Sequence, residues 1–132
     1  MTYNEILMEH NLYPVNRGKL KKPNIETTLV NSSCGDEISV QLAVENGIII
    51  DGKYDGVGCA ISMASADLML ELVKGKKIAE AQVLTEKFKS MIIGKAGDYE
   101  CLGVAQVLQE VSRMPARAKC ASLAWKIFEG PL

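Results

Sequence analysis

From residue 36 to residue 45 the chain alternates. Ile38, Val40, Leu42 and Val44 fall on one side, and Glu37, Ser39, Gln41 and Ala43 on the other. A period of two marks a half-buried strand. Asn46-Gly47 follows, a pair suited to a two-residue hairpin turn, so residues 48–54 read as the return strand. Residues 25–32, with Thr27, Thr28, Leu29 and Val30, supply a third strand. After Cys59 the period lengthens. Ile61, Ala64, Leu68 and Leu72 recur at helical spacing until Lys74-Gly75 provides a stop. Residues 77–93 carry a second helical stripe of Ile78, Ala81, Leu84, Phe88 and Met91, and residues 94–97 break it. A third helix is predicted over 99–111, with Cys101, Val104 or Ala105, Leu108 and Val111 on one side. Pro115 suits the first position of a last helix over 116–129, which carries Cys120, Leu123, Ala124 and Phe128.

At the other end, residues 2–12 read as a short amphipathic helix. Thr2 can cap it, Glu5 stands three residues on as in a capping box, Ile6, Leu7 and His10 share a face, and Pro14 ends it. Strands followed by helices predict an α+β fold, a small three-stranded antiparallel sheet covered by helices. With no linker or repeat in 132 residues, one domain spanning residues 1–132 is expected.

Composition narrows the function. Nearly half the residues are apolar, and fifteen basic residues against sixteen acidic ones leave a net charge of -1. Without a basic block or interleaved aromatic residues, nucleic acid is not an expected partner. The local basic run at Arg17, Lys19, Lys21 and Lys22 reads either as a solvated loop or as a docking surface for an acidic partner. The longest apolar stretch, residues 60–73, is too short to span a bilayer and is interrupted by Asp67 and Glu71, so no membrane is expected. Glu5 and Glu9 near the N-terminus do not suit a signal peptide, which makes the cytoplasm the expected compartment. There, cysteines serve as packing, metal ligands or nucleophiles rather than disulfides.

That reading turns attention to Ser33-Cys34-Gly35-Asp36. If this corner is extended, Cys34 and Asp36 point to the same side, a soft and a hard metal ligand separated by a residue without bulk. Cys59 ends Asp55-Gly56-Val57-Gly58-Cys59 and Cys120 ends Pro115-Ala116-Arg117-Ala118-Lys119-Cys120, so three thiols and one carboxylate could fill a tetrahedral zinc site. The separations are far from paired zinc knuckles, and chemistry alone leaves open a shared site or scattered core cysteines. Cys59 at a helix entrance favours a thiolate, and Arg117 and Lys119 beside Cys120 can offset the excess negative charge. Cys101, on an apolar stripe, reads as packing; the lone His10 as a satisfied structural residue; Trp125 as core or interface; and Met63, Met69, Met91 and Met114 as gap filling.

Three blocks carry a resemblance: Cys34-Gly35-Asp36; Gly56-Val57-Gly58-Cys59-Ala60-Ile61-Ser62-Met63-Ala64-Ser65; and Pro115-Ala116-Arg117-Ala118-Lys119-Cys120-Ala121-Ser122-Leu123-Ala124-Trp125. The chain resembles the U-type iron-sulfur assembly proteins, the SufU/IscU/NifU N-terminal family, from His10 to the C-terminus. Within that family it is similar to the SufU branch. Lys119 stands where the IscU branch has a histidine, and the segment before Pro115 is longer.

The resemblance implies a SufE/NifU-IscU-like fold, with Cys34, Asp36, Cys59 and Cys120 as zinc ligands. It also implies Cys34 as the persulfide acceptor, with Arg117 and Lys119 supporting the charge of its thiolate. The implied partner is a SufS-type cysteine desulfurase, with sulfur passing on to a Suf-type scaffold or to apo iron-sulfur proteins, the chain acting as monomer or weak dimer. The alternative is a scaffold holding iron or a 2Fe-2S cluster at the same residues; a third reading is a purely structural zinc domain. Glu37, Val57 and Val15 depart from the family's pattern, altering charge near the site and at the expected docking face.

Overall fold

A computed structural model describes residues 2–129. Its sheet has the order β1 (Ile25–Asn31), β2 (Asp36–Glu45), β3 (Ile48–Val57), antiparallel throughout. The hairpin turn has positive φ at both Asn46 and Gly47, as a type I′ turn requires. The alternation of β2 does what it predicts: Ile38, Val40 and Leu42 are wholly buried while Glu37 is exposed. The third strand runs three residues beyond the expected 48–54, because its ladder with β2 continues to the pair Glu37–Val57. That extension carries the chain to Gly58 and the start of the next helix.

Helices cover the inner face. The first, α1 (Tyr3–Leu12), is capped by Thr2, whose side chain accepts from the Glu5 amide at 3.2 Å. The Thr2 hydroxyl in turn donates to the Glu5 carboxylate at 3.0 Å, so the expected box closes through side chains. Next, α2 (Ala60–Val73) is buried without interruption from Ser62 to Leu70 and forms the centre of the core, packed against α1, β3 and the segments that follow α3 (Ile78–Ile92). Ala81, Leu84, Phe88 and Met91 of α3 face inward as their spacing predicts. Among the described residues no helix is long and apolar enough to cross a membrane.

Two predicted α-helices are wound differently. Instead of one helix over 99–111, Glu100–Arg113 forms 3-10 turns interrupted at Gly103, whose φ of 56° and ψ of -133° no helix accommodates. Instead of one helix over 116–129, α4 (Pro115–Ser122) gives way to a 3-10 turn, Ala124–Phe128. In the tighter winding residues three apart eclipse, which sets Trp125 and Phe128 on the same side, and both are buried. Met63, Met69 and Met91 fill the core as expected, whereas Met114, between the two segments, is exposed.

Candidate metal centre

The centre forms where the first hairpin turn, the start of α2 and the end of α4 meet. Residues 32–35 make the turn from β1 to β2, with Gly35 at φ 71° and the Cys34 N-H donating to the Asn31 carbonyl at 3.2 Å. The corner is therefore a tight turn and not the extended segment supposed from sequence: the four-residue connection between paired Asn31 and Asp36 has no room for a strand. It leaves Cys34 exposed and Asp36, the first residue of β2, wholly buried.

Cys59 caps α2, and its backbone N-H donates to Asp36 Oδ1 at 2.9 Å. The approach depends on Gly58, where a β-carbon would lie 2.5 Å from Ser62 Oγ and 3.0 Å from Asp36 Oδ1. Cys120 is fully buried near the end of α4. The next residue is clamped: Ser65 Oγ donates to the Ala121 carbonyl at 2.6 Å and accepts from Trp125 Nε1 at 2.9 Å. Trp125 itself stacks on Phe88, ring centres 4.0 Å apart and planes 7° from parallel.

The fold brings three of the four residues expected as ligands into one cluster. Ligand atoms of Cys34, Asp36 and Cys120 all lie within 4.8 Å of one another. Cys59 stands beside this trio, its thiol donating toward Ser62 Oγ at 3.6 Å while the Ser62 hydroxyl donates to the Cys59 carbonyl at 3.0 Å. The two deeper thiols are tuned in opposite directions. Burial works to raise Cys59, but its hydrogen-bonding contacts with the Ser62 backbone and side chain and with Cys120 bring it below the ordinary thiol value. Burial pushes Cys120 well up, reinforced by Cys34, Asp36 and Cys59 around it.

Asp36 supplies the test of fit for a cation. While Oδ1 is bonded to Cys59, Oδ2 is buried with no hydrogen-bond partner. A buried acceptor left unpaired costs about 1–3 kcal/mol, and more when charged. A metal ion beside it would remove that cost, and two thiols with one carboxylate oxygen are a donor set that zinc and iron both accept.

The remaining expected residues fall around this cluster. Arg117 and Lys119 are exposed on α4; Lys119 lines an open groove with Asn31, Ser33 and Lys126, and the charge of Arg117 reaches Tyr3. Cys101 is exposed, not packed as expected, because the interrupted 3-10 winding turns Leu102 inward in its place. His10 is a satisfied structural residue, its Nδ1 2.6 Å from buried Asp67. The three departures from the family pattern, Val15, Glu37 and Val57, are all on the surface, and the last two are partners across β2 and β3.

Three residues at the centre escaped the sequence reading: Asn31, Ser62 and Ser65. Ser62 and Ser65 lie within the block after Cys59, three and six residues on, which is the helical spacing that aims both back toward the N-terminal end of α2. Asn31 carried no comparable signal.

A model of the NifU-like N-terminal domain matches residues 2–129. The chain is 41% identical over 128 residues to the zinc-dependent sulfurtransferase SufU of Bacillus subtilis, covering 96% of this chain and 86% of that protein. It is 38% identical over 132 residues to the iron-sulfur cluster assembly scaffold protein IscU of Thermotoga maritima, covering 100% and 93%. Among solved structures, a Fervidobacterium islandicum protein described as an iron-sulfur cluster assembly scaffold for the SUF system superposes with a TM-score of 0.90 at 34% identity, over 95% of this chain and 92% of that one.

Proposed function

The chain belongs to the NifU-like N-terminal domain family, and from that premise we propose that it serves iron-sulfur cluster assembly as a zinc-bound sulfur carrier. It accepts sulfane sulfur on Cys34 from a SufS-type cysteine desulfurase in the cytoplasm and hands it to a Suf-type scaffold or to apo iron-sulfur proteins. The observation that carries this reading is the unequal exposure of clustered ligands: Asp36 and Cys120 are wholly buried, whereas Cys34 lies exposed on a turn within 4.8 Å of both. A structural site closes over all its ligands. Here one sulfur stays within reach of a visiting protein.

Cys34, Asp36 and Cys120 would hold the zinc, with Cys59 as the fourth ligand. Bound there, zinc supplies positive charge that keeps the thiols deprotonated at neutral pH. The chain's own residues do the rest. Asp36 is fixed by the Cys59 N-H, so the buried half of the cluster holds its place while the turn bearing Cys34 meets the donor. The Cys34 thiolate attacks the terminal sulfur of the donor's persulfide. One S-S bond forms at Cys34, the donor's S-S bond breaks, and the donor cysteine departs as a thiolate, so no net oxidation occurs. Lys119, exposed on the groove side of α4, and Arg117, exposed on the same helix, offset the negative charge of the persulfide product.

The test is to deliver labelled sulfur from a cysteine desulfurase to the wild-type protein and to Cys34→Ala. Label on the first and none on the second is expected; undiminished transfer to the variant rules Cys34 out. The 38% identity to a scaffold over the full chain favours a second reading, in which the same residues hold iron or a 2Fe-2S cluster. Protein purified without air separates the two: colourless with stoichiometric zinc for the carrier, brown with iron and sulfide for the scaffold.

A further inference from the structure

Asn31 touches every member of the trio. Its carbonyl accepts the Cys34 N-H at 3.2 Å, its backbone is the register partner of Asp36 at the last pair of β1 and β2, and its side-chain Nδ2 donates to Cys120 Sγ at 3.9 Å. The residue is half-buried and faces the groove that also carries Lys119. One residue, by its backbone and its side chain, thus ties together ligands that lie 3, 5 and 89 positions further along the chain: the turn, the strand start and the far helix.

We infer that Asn31 is a positioning residue that keeps Cys120 in the metal set through its N-H···S hydrogen bond, so that Cys34 is the thiol that leaves. An amide N-H pointed at sulfur draws negative charge toward itself and makes that sulfur a weaker nucleophile toward an arriving persulfide. The donor is aimed at the buried sulfur, so the exposed one remains the better attacker. Groups that orient metal ligands from outside the coordination set change affinity by about 10- to 100-fold when removed. The assignment of leaving thiol rests on the carrier reading above; the hydrogen bond to Cys120 does not.

Two variants isolate the donor. Asn31→Leu keeps the side chain's size without a donor, and Asn31→Asp keeps its shape with an acceptor in the donor's place; if the first fails to fold, the second carries the test. Each is loaded with Co2+ as an optical probe, and zinc affinity is measured by competition with a chelator. Loss of the N-H raises the energy of the sulfur electrons, so the sulfur-to-cobalt charge-transfer band is expected at longer wavelength in both variants, with zinc binding weakened about 10- to 100-fold. A residue that merely shapes the turn would weaken binding without moving the band, and an unmoved band overturns the inference.

Mass-spectrometric mapping of labelled sulfur then tests the consequence. Wild type is expected to carry it on Cys34 and the variants on both Cys34 and Cys120. A shifted band with no sulfur on wild-type Cys34 upholds Asn31 and overturns the carrier reading. Sulfur on wild-type Cys34 with an unshifted band does the reverse.

Discussion

Cys34 and Cys120 bring sulfur to the same cluster from contrasting settings. The turn at residues 32–35 is exposed throughout and hangs from the sheet by the Cys34 N-H and its flanking strands. The segment after Cys120 is buried from Ala121 through Phe128 apart from Ser122 and Lys126, and it is joined to α2 by Ser65 and to α3 by the stack of Trp125 on Phe88. A metal set assembled this way has a fixed half, rooted in the core, and a half that can yield to a partner. The difference between them, more than the identity of the ligands, separates a site that exchanges cargo from one that only holds a fold together.

The comparison can be broken in order of expected effect. Asp36→Ala strikes the fixed half: it removes the carboxylate and frees the Cys59 N-H, and elemental analysis is expected to find stoichiometric zinc lost. Trp125→Ala should cost about 3–5 kcal/mol of stability, read by denaturant melts, because it removes a large, fully buried ring stacked on Phe88. Gly58→Ala forces a methyl group to within 2.5 Å of Ser62 Oγ, with an expected loss of about 1–3 kcal/mol in the same melts.

The exposed half should behave otherwise. Cys34→Ala is expected to abolish sulfur acceptance while shifting the stability of the metal-free protein by no more than about 0.5 kcal/mol. A cost comparable to that of Trp125→Ala would erase the distinction. On β3, the Gly56 N-H and then Arg17 hold the Asp55 carboxyl below its ordinary value of 3.8. A depressed folded value means the contribution is present above 3.8 and is lost as pH falls through the folded value. Since both side chains are nearly half exposed, solvent screening limits it to about 0.2–1 kcal/mol. Asp55→Asn should remove that much of the stability lost on acidification below about pH 4, measured by melts across pH.

Much of the architecture was legible because it repeats. Period two in β2, the Asn46-Gly47 turn and the stripes of α2 and α3 each follow from burying one face. The 3-10 windings were not legible. The apolar spacing of residues 99–111 suits an α-helix nearly as well, and it is the positive φ of Gly103 that interrupts the winding. At the site, the cysteines and Asp36 stood out by residue type and by resemblance, while Asn31 did not: a small polar residue that meets sulfur from 89 positions away leaves no local pattern. Glu37 and Val57 read as two separate departures from the family pattern, yet they are opposite one another across the ladder and amount to one altered pair.

The clamp between Ser65, Ala121 and the indole N-H gives the molecule an optical gauge of its own. There is one tryptophan in the chain, and its polar atom is bonded to the same hydroxyl that grips the peptide beside Cys120. Fluorescence from this ring therefore follows, without any attached dye, whether the rooted side of the centre stays intact while sulfur comes and goes on the other.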